Sequence, residues 1–235
     1  MNRTSNKHSL LSRITAATLA LLVGYLTLIW APGAAAVTAG EIEDQRASVN
    51  TDSSLDEESR AKLIEQLDAA RSQLDIAAEY SNRSSRLKTD IEQAPAKASS
   101  FEQQLNKAKA APQDYSASVS PDSSVQDIEG QITLATAQRQ SLGDRRSQLI
   151  KAVDELPARR TAIKERLVTL QQLIDSDQTA TPPSIDDRNE QKVAWLLAQA
   201  QLKAAEAEKA SLETEVLGES ALSQVNATER AWLGQ

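Results

Sequence analysis

Beyond residue 54 the apolar residues recur at alternating spacings of three and four, and nothing in the chain reads as strands. That spacing is the period of a helix carrying one buried face. A first stripe runs Leu63, Leu67, Ala70, Leu74, Ala77, then Leu87 and Ile91, with Ser54 as a candidate cap and Asp56, Glu57 and Glu58 in the first turn, where exposed N–H groups favour acids. Pro95 is expected to interrupt it, and a shorter piece with Phe101, Leu105 and Ala108 follows, ending before Pro112. Ser120-Pro121-Asp122 is a helix-start signal for the next stripe. There Val125, Ile128, Ile132, Ala135, Arg139, Leu142, Arg146, Leu149, Val153 and Leu156 keep the three-four spacing throughout, with eight of the ten apolar. A seam of that regularity predicts a coiled-coil rod of roughly 50 Å. Arg139 and Arg146 share one seam phase, which argues against a symmetric dimer and predicts packing on a neighbouring helix of the same chain. Pro157 is expected to break this helix before Ile163, Leu167, Leu170 and Ile174. A last helix is predicted from near Asp186 through Val193, Leu196, Leu197, Ala200, Ala204, Ala207 and Ala210 towards Leu217, with Gly218 as an end or a break and helix again to Gln235.

The predicted fold class is all-α, an array of elongated helical hairpins or antiparallel coiled coil with an internal repeat. Residues Leu87 to Leu105 and Leu149 to Leu167 superpose with a shift of 62, bringing Leu87, Ile91, Pro95, Phe101 and Leu105 onto Leu149, Val153, Pro157, Ile163 and Leu167. Two unrelated helices, each ended by a proline, are the plain alternative. The predicted division is a signal peptide over 1–36, a flexible lead-in over 37–53 that lacks periodicity, and a first helical repeat over 54–111. A connector over 112–121, a second repeat over 122–174, a linker over 175–185 and a C-terminal helical segment over 186–235 complete it.

The N-terminus explains the first of these divisions. Arg3, Lys7 and Arg13 precede an apolar run from Ile14 to Trp30, and Pro32, Gly33 and Ala34-Ala35-Ala36 follow. Small residues at Ala34 and Ala36 place cleavage before Val37. An uncleaved anchor is the competing reading, because the run is just long enough to span a bilayer. Either way the rest of the chain is expected in the periplasm.

Charge and composition then narrow the chemistry. The chain has a net charge of −7, and the leader's three basic residues come without an acid, so the remainder is more acidic still. Nucleic-acid binding, which depends on Lys and Arg neutralising phosphate, is not expected. There is no Cys, and His8 and Met1 both lie in the leader. That set excludes a Ser/His/Asp triad, a Cys nucleophile, a Cys/His zinc site, a haem ligand and a disulfide in the mature part. Aromatic residues make up only 3% of the chain, so stability must come from aliphatic seams.

No catalytic, cofactor-binding or metal-ligating residue is assigned, and neither a cofactor nor a small-molecule substrate is identified. Asp175, Asp177, Thr179 and Asp186 have the outline of a calcium loop, but Ala180 stands where glycine is needed and Pro182-Pro183 lie inside it, so a solvated linker is the reading. Glu206 with Glu208, and Glu213 with Glu215, are read as the wet face of an Ala-rich helix and not as acid/base pairs. Trp195 and Trp232 are read as helix-packing residues. Arg159, Arg160, Lys164 and Arg166 are read as the polar face of an amphipathic helix and not as a lipid-headgroup site. The isolated glycines form no phosphate-binding loop.

Several segments in this order carry a family resemblance. They are Glu92-Gln93-Ala94-Pro95-Ala96-Lys97, the Ser-Pro-initiated helix with Ile128 and Leu142, Asp154-Glu155-Leu156-Pro157-Ala158-Arg159-Arg160, and Glu190-Gln191-Lys192-Val193 opening an Ala/Leu helix through Glu215. Together they resemble the N-terminal periplasmic region, the porin domain, of the large MscS-superfamily mechanosensitive channels of the MscK kind, over about residues 50–235. The resemblance implies an α-helical periplasmic extension ahead of membrane helices and a pore, modulating or sensing rather than conducting, and no catalytic residue. It implies a membrane-embedded channel portion or other periplasmic helices as partners, with a homo-oligomer possible, and association with the inner membrane. The family's membrane helices and pore are not in the sequence, which reads as a partial chain. The alternative is a free-standing periplasmic coiled-coil scaffold or adaptor.

Overall fold

A computed structural model describes residues 37–110, 123–177, 182–184 and 188–234. The leader, the Ser120-Pro121-Asp122 start signal, Thr179 and Asp186 lie outside the described residues. Four helices follow one another: α1 (Ala39–Thr51), α2 (Glu57–Ala110), α3 (Val125–Asp177) and α4 (Asn189–Leu233). No strand occurs among the described residues, in agreement with the all-α expectation.

The lead-in expected to be flexible is instead the helix α1. Thr38 caps it, accepting from the Glu41 backbone N–H at 3.2 Å, while the Glu41 carboxylate accepts from the Thr38 backbone N–H at 2.7 Å. Val37 just before the cap and Ile42 four residues into the helix are both buried, so a hydrophobic staple reinforces the capping box. The helix is held antiparallel to α2 by Arg46 on Asp68 at 2.8 Å and Arg71 on Glu43 at 2.9 Å. Arg60 closes its C-terminus by donating to the carbonyls of Val49, Asp52 and Leu55. Asn189, at the start of α4, accepts from Gln45 at 2.7 Å and donates to Asp52 at 2.6 Å. The core at this end joins Val37, Ile42 and Val49 to Leu63 and Leu67 of α2 and Val193 and Leu196 of α4, with Trp195 packed against it.

Both long helices pass through the prolines expected to break them: Pro95 lies inside α2 and Pro157 inside α3. A mid-helix proline costs roughly 3 kcal/mol and leaves the carbonyl four residues back without its donor. Each proline lies on the exposed side, and the buried stripe continues past it. In α2 the half-buried Ile91 precedes Pro95, and Ala98 and Phe101 follow in phase; in α3 Val153 and Leu156 precede Pro157, and Ile163 follows. Packing on both sides outweighs the local penalty, so the helices stay continuous at about 80 Å each. They nevertheless use α4 in opposite senses. α2 runs parallel to it, with Ser84 at Thr214, Ala98 at Val225 and Phe101 at Trp232. α3 runs antiparallel, with Arg145 at Glu229 and Arg166 at Glu208.

Helix α4 is the hub. It packs on α1, α2 and α3, whereas α2 and α3 do not pack on each other. Its α2-facing side carries Ala200, Ala204, Ser211, Thr214 and Gly218, small residues that let the two helices approach closely. The Ser84 and Thr214 hydroxyls pair across this interface at 3.1 Å. Gly218 neither ends nor breaks α4: it is buried, and a Cβ built there would overlap Cδ1 and Cγ1 of Ile91. Ala210 and Leu217, expected on the packed stripe, are exposed.

The close approach at Gly218 makes a contrasting pair of substitutions informative. Gly218→Leu is expected to destabilise the fold by about 1–3 kcal/mol through overpacking, with part of the loss recovered when Ile91→Ala is added. Gly143, with nothing within 4 Å of a built Cβ, should instead gain up to about 1 kcal/mol as alanine. Urea denaturation of the four proteins measures both, and a neutral Gly218→Leu would contradict the interface.

Candidate functional site

The charged residues that read as solvated faces meet each other in the structure. Four arginines of α3 lie over four glutamates of α4: Arg145 on Glu229, Arg159 on Glu215, Arg160 on Glu219 and Arg166 on Glu208. Three of the pairs are two-pronged, Nε and a terminal nitrogen donating to the two carboxylate oxygens at 2.7–2.9 Å. This fork-to-fork arrangement fixes orientation as well as charge. The ladder exists because α3 and α4 are antiparallel, so arginines early in one helix meet glutamates late in the other. Lys209 extends the same side, donating to Gln171 at 2.7 Å.

Burial is unequal across each rung. The Glu229 side chain is 10% exposed and that of Arg145 51%; Glu208 and Arg166 show 13% and 50%. The carboxylates are thus withdrawn into the helix interface and the arginines cover them from the solvent side. Glu206 and Glu213, by contrast, are exposed as expected. The wet-face reading therefore holds for those two and fails for Glu208 and Glu215. Arg159, Arg160 and Arg166 are exposed, as the polar-face reading expected, and in addition pair across the interface.

Glu215 is the point where three helices converge. Arg159 of α3 grips it from one side and Arg83 of α2 reaches it from the other. A cavity of about 270 Å³ opens beside it, lined among others by Leu87, Leu156, Arg160 and Leu222. The hydrogen bonds from Arg159 hold the Glu215 carboxyl below the usual carboxylate range, against the opposing effect of burial. The same contact pushes the Arg159 guanidinium further up. An apolar cluster of Ile163, Leu170, Ile174, Ala205 and Leu212 backs the ladder in the middle of α4.

Other candidates fall out of the site. Asp175 accepts from Gln171 one turn earlier at 2.7 Å, as a helix-surface residue. Among the described residues no group of three or more His, Asp or Glu side chains is placed to hold a metal ion. Trp232 stacks on Phe101 at a centroid distance of 5.7 Å, and Trp195 packs on the α1 end core, so both act as helix-packing residues.

Two consequences can be measured. Arg145→Met leaves the Glu229 carboxylate buried without its partner and should lower stability by about 1–3 kcal/mol, whereas Glu213→Gln should change it by less than about 0.5 kcal/mol. Because the folded-state value of Glu215 lies below that of the unfolded chain, its contribution is complete above the free-glutamate value of about 4.3 and is lost as pH falls through the folded value. Thermal unfolding followed by circular dichroism should show the midpoint falling below about pH 4, with a shallower fall in Glu215→Gln.

Comparison with known proteins bears on the same span. No curated protein and no solved structure matches the chain significantly. Residues 47–235, which include all of α2, α3 and α4, match the mechanosensitive ion channel porin domain. The chain therefore belongs to the family of mechanosensitive ion channel porin domains.

Proposed function

We propose that this chain is an exported helical extension of a mechanosensitive ion channel, lying in the periplasm beside the inner membrane and acting on a membrane-embedded pore portion as a modulator or sensor without conducting. The observation that carries this reading is the family match over residues 47–235. Other observations support it. The leader has the layout of an export signal, and the compact body begins at Val37, the residue that cleavage after Ala36 would leave first. No helix among the described residues is long and apolar enough to cross a membrane, which suits a role outside the pore.

The mechanism follows from the hub. A displacement of α3 reaches α2 through α4, because α2 and α3 do not pack on one another. The ladder is held by charges whose arginine ends face solvent, so it can slide or loosen without disturbing the small-residue contact between α2 and α4. An extension built this way can pass a change in envelope geometry to the part that gates.

The test is electrical. In membrane patches containing a channel that carries this domain, Arg145→Glu should shift the pressure threshold and leave the unitary conductance unchanged. Stretch-activated currents from the purified 235-residue chain alone in a planar bilayer would overturn the reading. An alkaline phosphatase fused after Gln235 should be active in cells, and an inactive fusion would contradict export.

A further inference from the structure

Helices α2 and α3 each pack on α4 but not on each other, and the cavity of about 270 Å³ beside Glu215 is lined from all three. Its walls are largely aliphatic: Leu87 from α2, Leu156 and Ile163 from α3, and Val216 and Leu222 from α4, with Ser223 and Asn226 as polar members. Charged side chains complete the lining. Arg83, Arg159 and Arg160 meet Glu215 and Glu219 there, three guanidiniums against two carboxylates. Arg83 and Arg159 share the one carboxylate of Glu215, and Arg160 takes Glu219. None of the three arginines makes another ion pair among the described residues, so the lining holds one positive charge in excess, in a chain whose net charge is −7. Their side chains are 42%, 43% and 60% exposed, and each guanidinium keeps N–H groups that its glutamate does not use. An anion arriving from solvent can therefore be bound without displacing either glutamate.

We propose that this cavity binds a small monoanionic amphiphile, a carboxylate on a straight chain of about eight carbons, with its head on Arg83 and Arg160 and its tail along Leu87, Leu156 and Leu222. Three features select that chemistry. The single excess charge calls for one negative head, which guanidinium groups bind by charge-assisted hydrogen bonds. The aliphatic walls call for a tail, each buried methylene raising affinity by about fourfold. The volume takes roughly nine water-sized groups, enough for octanoate and too small for a membrane lipid with two long chains. Bound there, the ligand joins α2 to α3 where the two helices do not pack on each other. The site goes beyond the proposed function and does not depend on it.

Isothermal titration calorimetry of octanoate into the full chain tests the proposal, and a dissociation constant below about 1 mM is expected. Butanoate, shorter by four methylenes, should bind about a hundredfold more weakly or worse, and octylammonium, of the wrong charge, should give no heat of binding. Arg160→Gln removes the excess charge and should weaken octanoate by about threefold or more, whereas Glu219→Gln doubles that charge and should tighten it by a similar factor. A role of this pair in folding alone would not produce the tightening. Val216 is 48% exposed, so Val216→Trp should obstruct the cavity and abolish binding with the far-ultraviolet circular dichroism unchanged. Leu156→Trp should do the same from the opposite wall. Absence of binding at about 10 mM octanoate, equal binding of octylammonium, or an affinity indifferent to Val216→Trp and to both charge variants would each overturn the proposal. So would capture by phosphatidylglycerol vesicles, lost in Arg160→Gln, in a chain that ignores octanoate, since the arginines would then be a headgroup contact.

Discussion

Every long-range contact of α3 in the described residues is made through α4, and α4 is able to serve two neighbours because its opposite faces have different chemistry. Towards α2 it presents Ala200, Ala204, Ser211, Thr214 and Gly218, and the contact is close small-residue packing joined by the buried Ser84–Thr214 hydroxyl pair. Towards α3 it presents Glu208, Glu215, Glu219 and Glu229, and the contact is directional and ionic, backed by Leu212 and Ala205. Dispersion and burial fall away within an ångström or so of separation, whereas paired charges tolerate larger displacement. The α2–α4 pair is therefore the rigid element, and α3 is the element that can move.

Glu215 sets a limit on that movement. Gripped by Arg83 from α2 and Arg159 from α3, it is the one rung at which the two outer helices act on a common group. A carboxylate withdrawn from water and shared between two guanidinium groups is favourable only while both remain in place, because losing one leaves charge incompletely paired. Sliding α3 along α4 thus meets at Glu215 a second guanidinium, contributed by α2, that the other rungs of the ladder lack.

Much of this was legible in the residues, and the failures have distinct physical causes. The α2 stripe from Leu63 to Ile91 was readable because one face of that helix is buried along its length. On α4 a single stripe was sought where two exist, since the helix is contacted from two sides, so Ala210 and Leu217 were placed on a packed face and Glu208 and Glu215 on a wet one. The ladder itself could not be read from local spacing, because its partners are 42 to 84 residues apart in sequence. Only the seven-residue interval between Glu208 and Glu215 hinted at a shared face. Helix α1 was missed although its signature was present: Val37, Thr38, Glu41 and Ile42 spell a staple and a capping box, which a search for periodicity passes over in a helix with two buried residues. The prolines misled for the opposite reason, a strong local signal overruled by packing on both sides.

The division into a rigid α2–α4 pair and a separately releasable α3 is tested most directly by amide hydrogen exchange at increasing salt. Between about 0.1 M and 1 M the Debye length shrinks from about 10 Å to 3 Å, which weakens the half-exposed ladder and leaves apolar contacts in place. Residues 149–174 of α3 should then lose protection well before residues 63–101 of α2. Simultaneous loss in both helices, or no salt dependence in α3, would contradict the account.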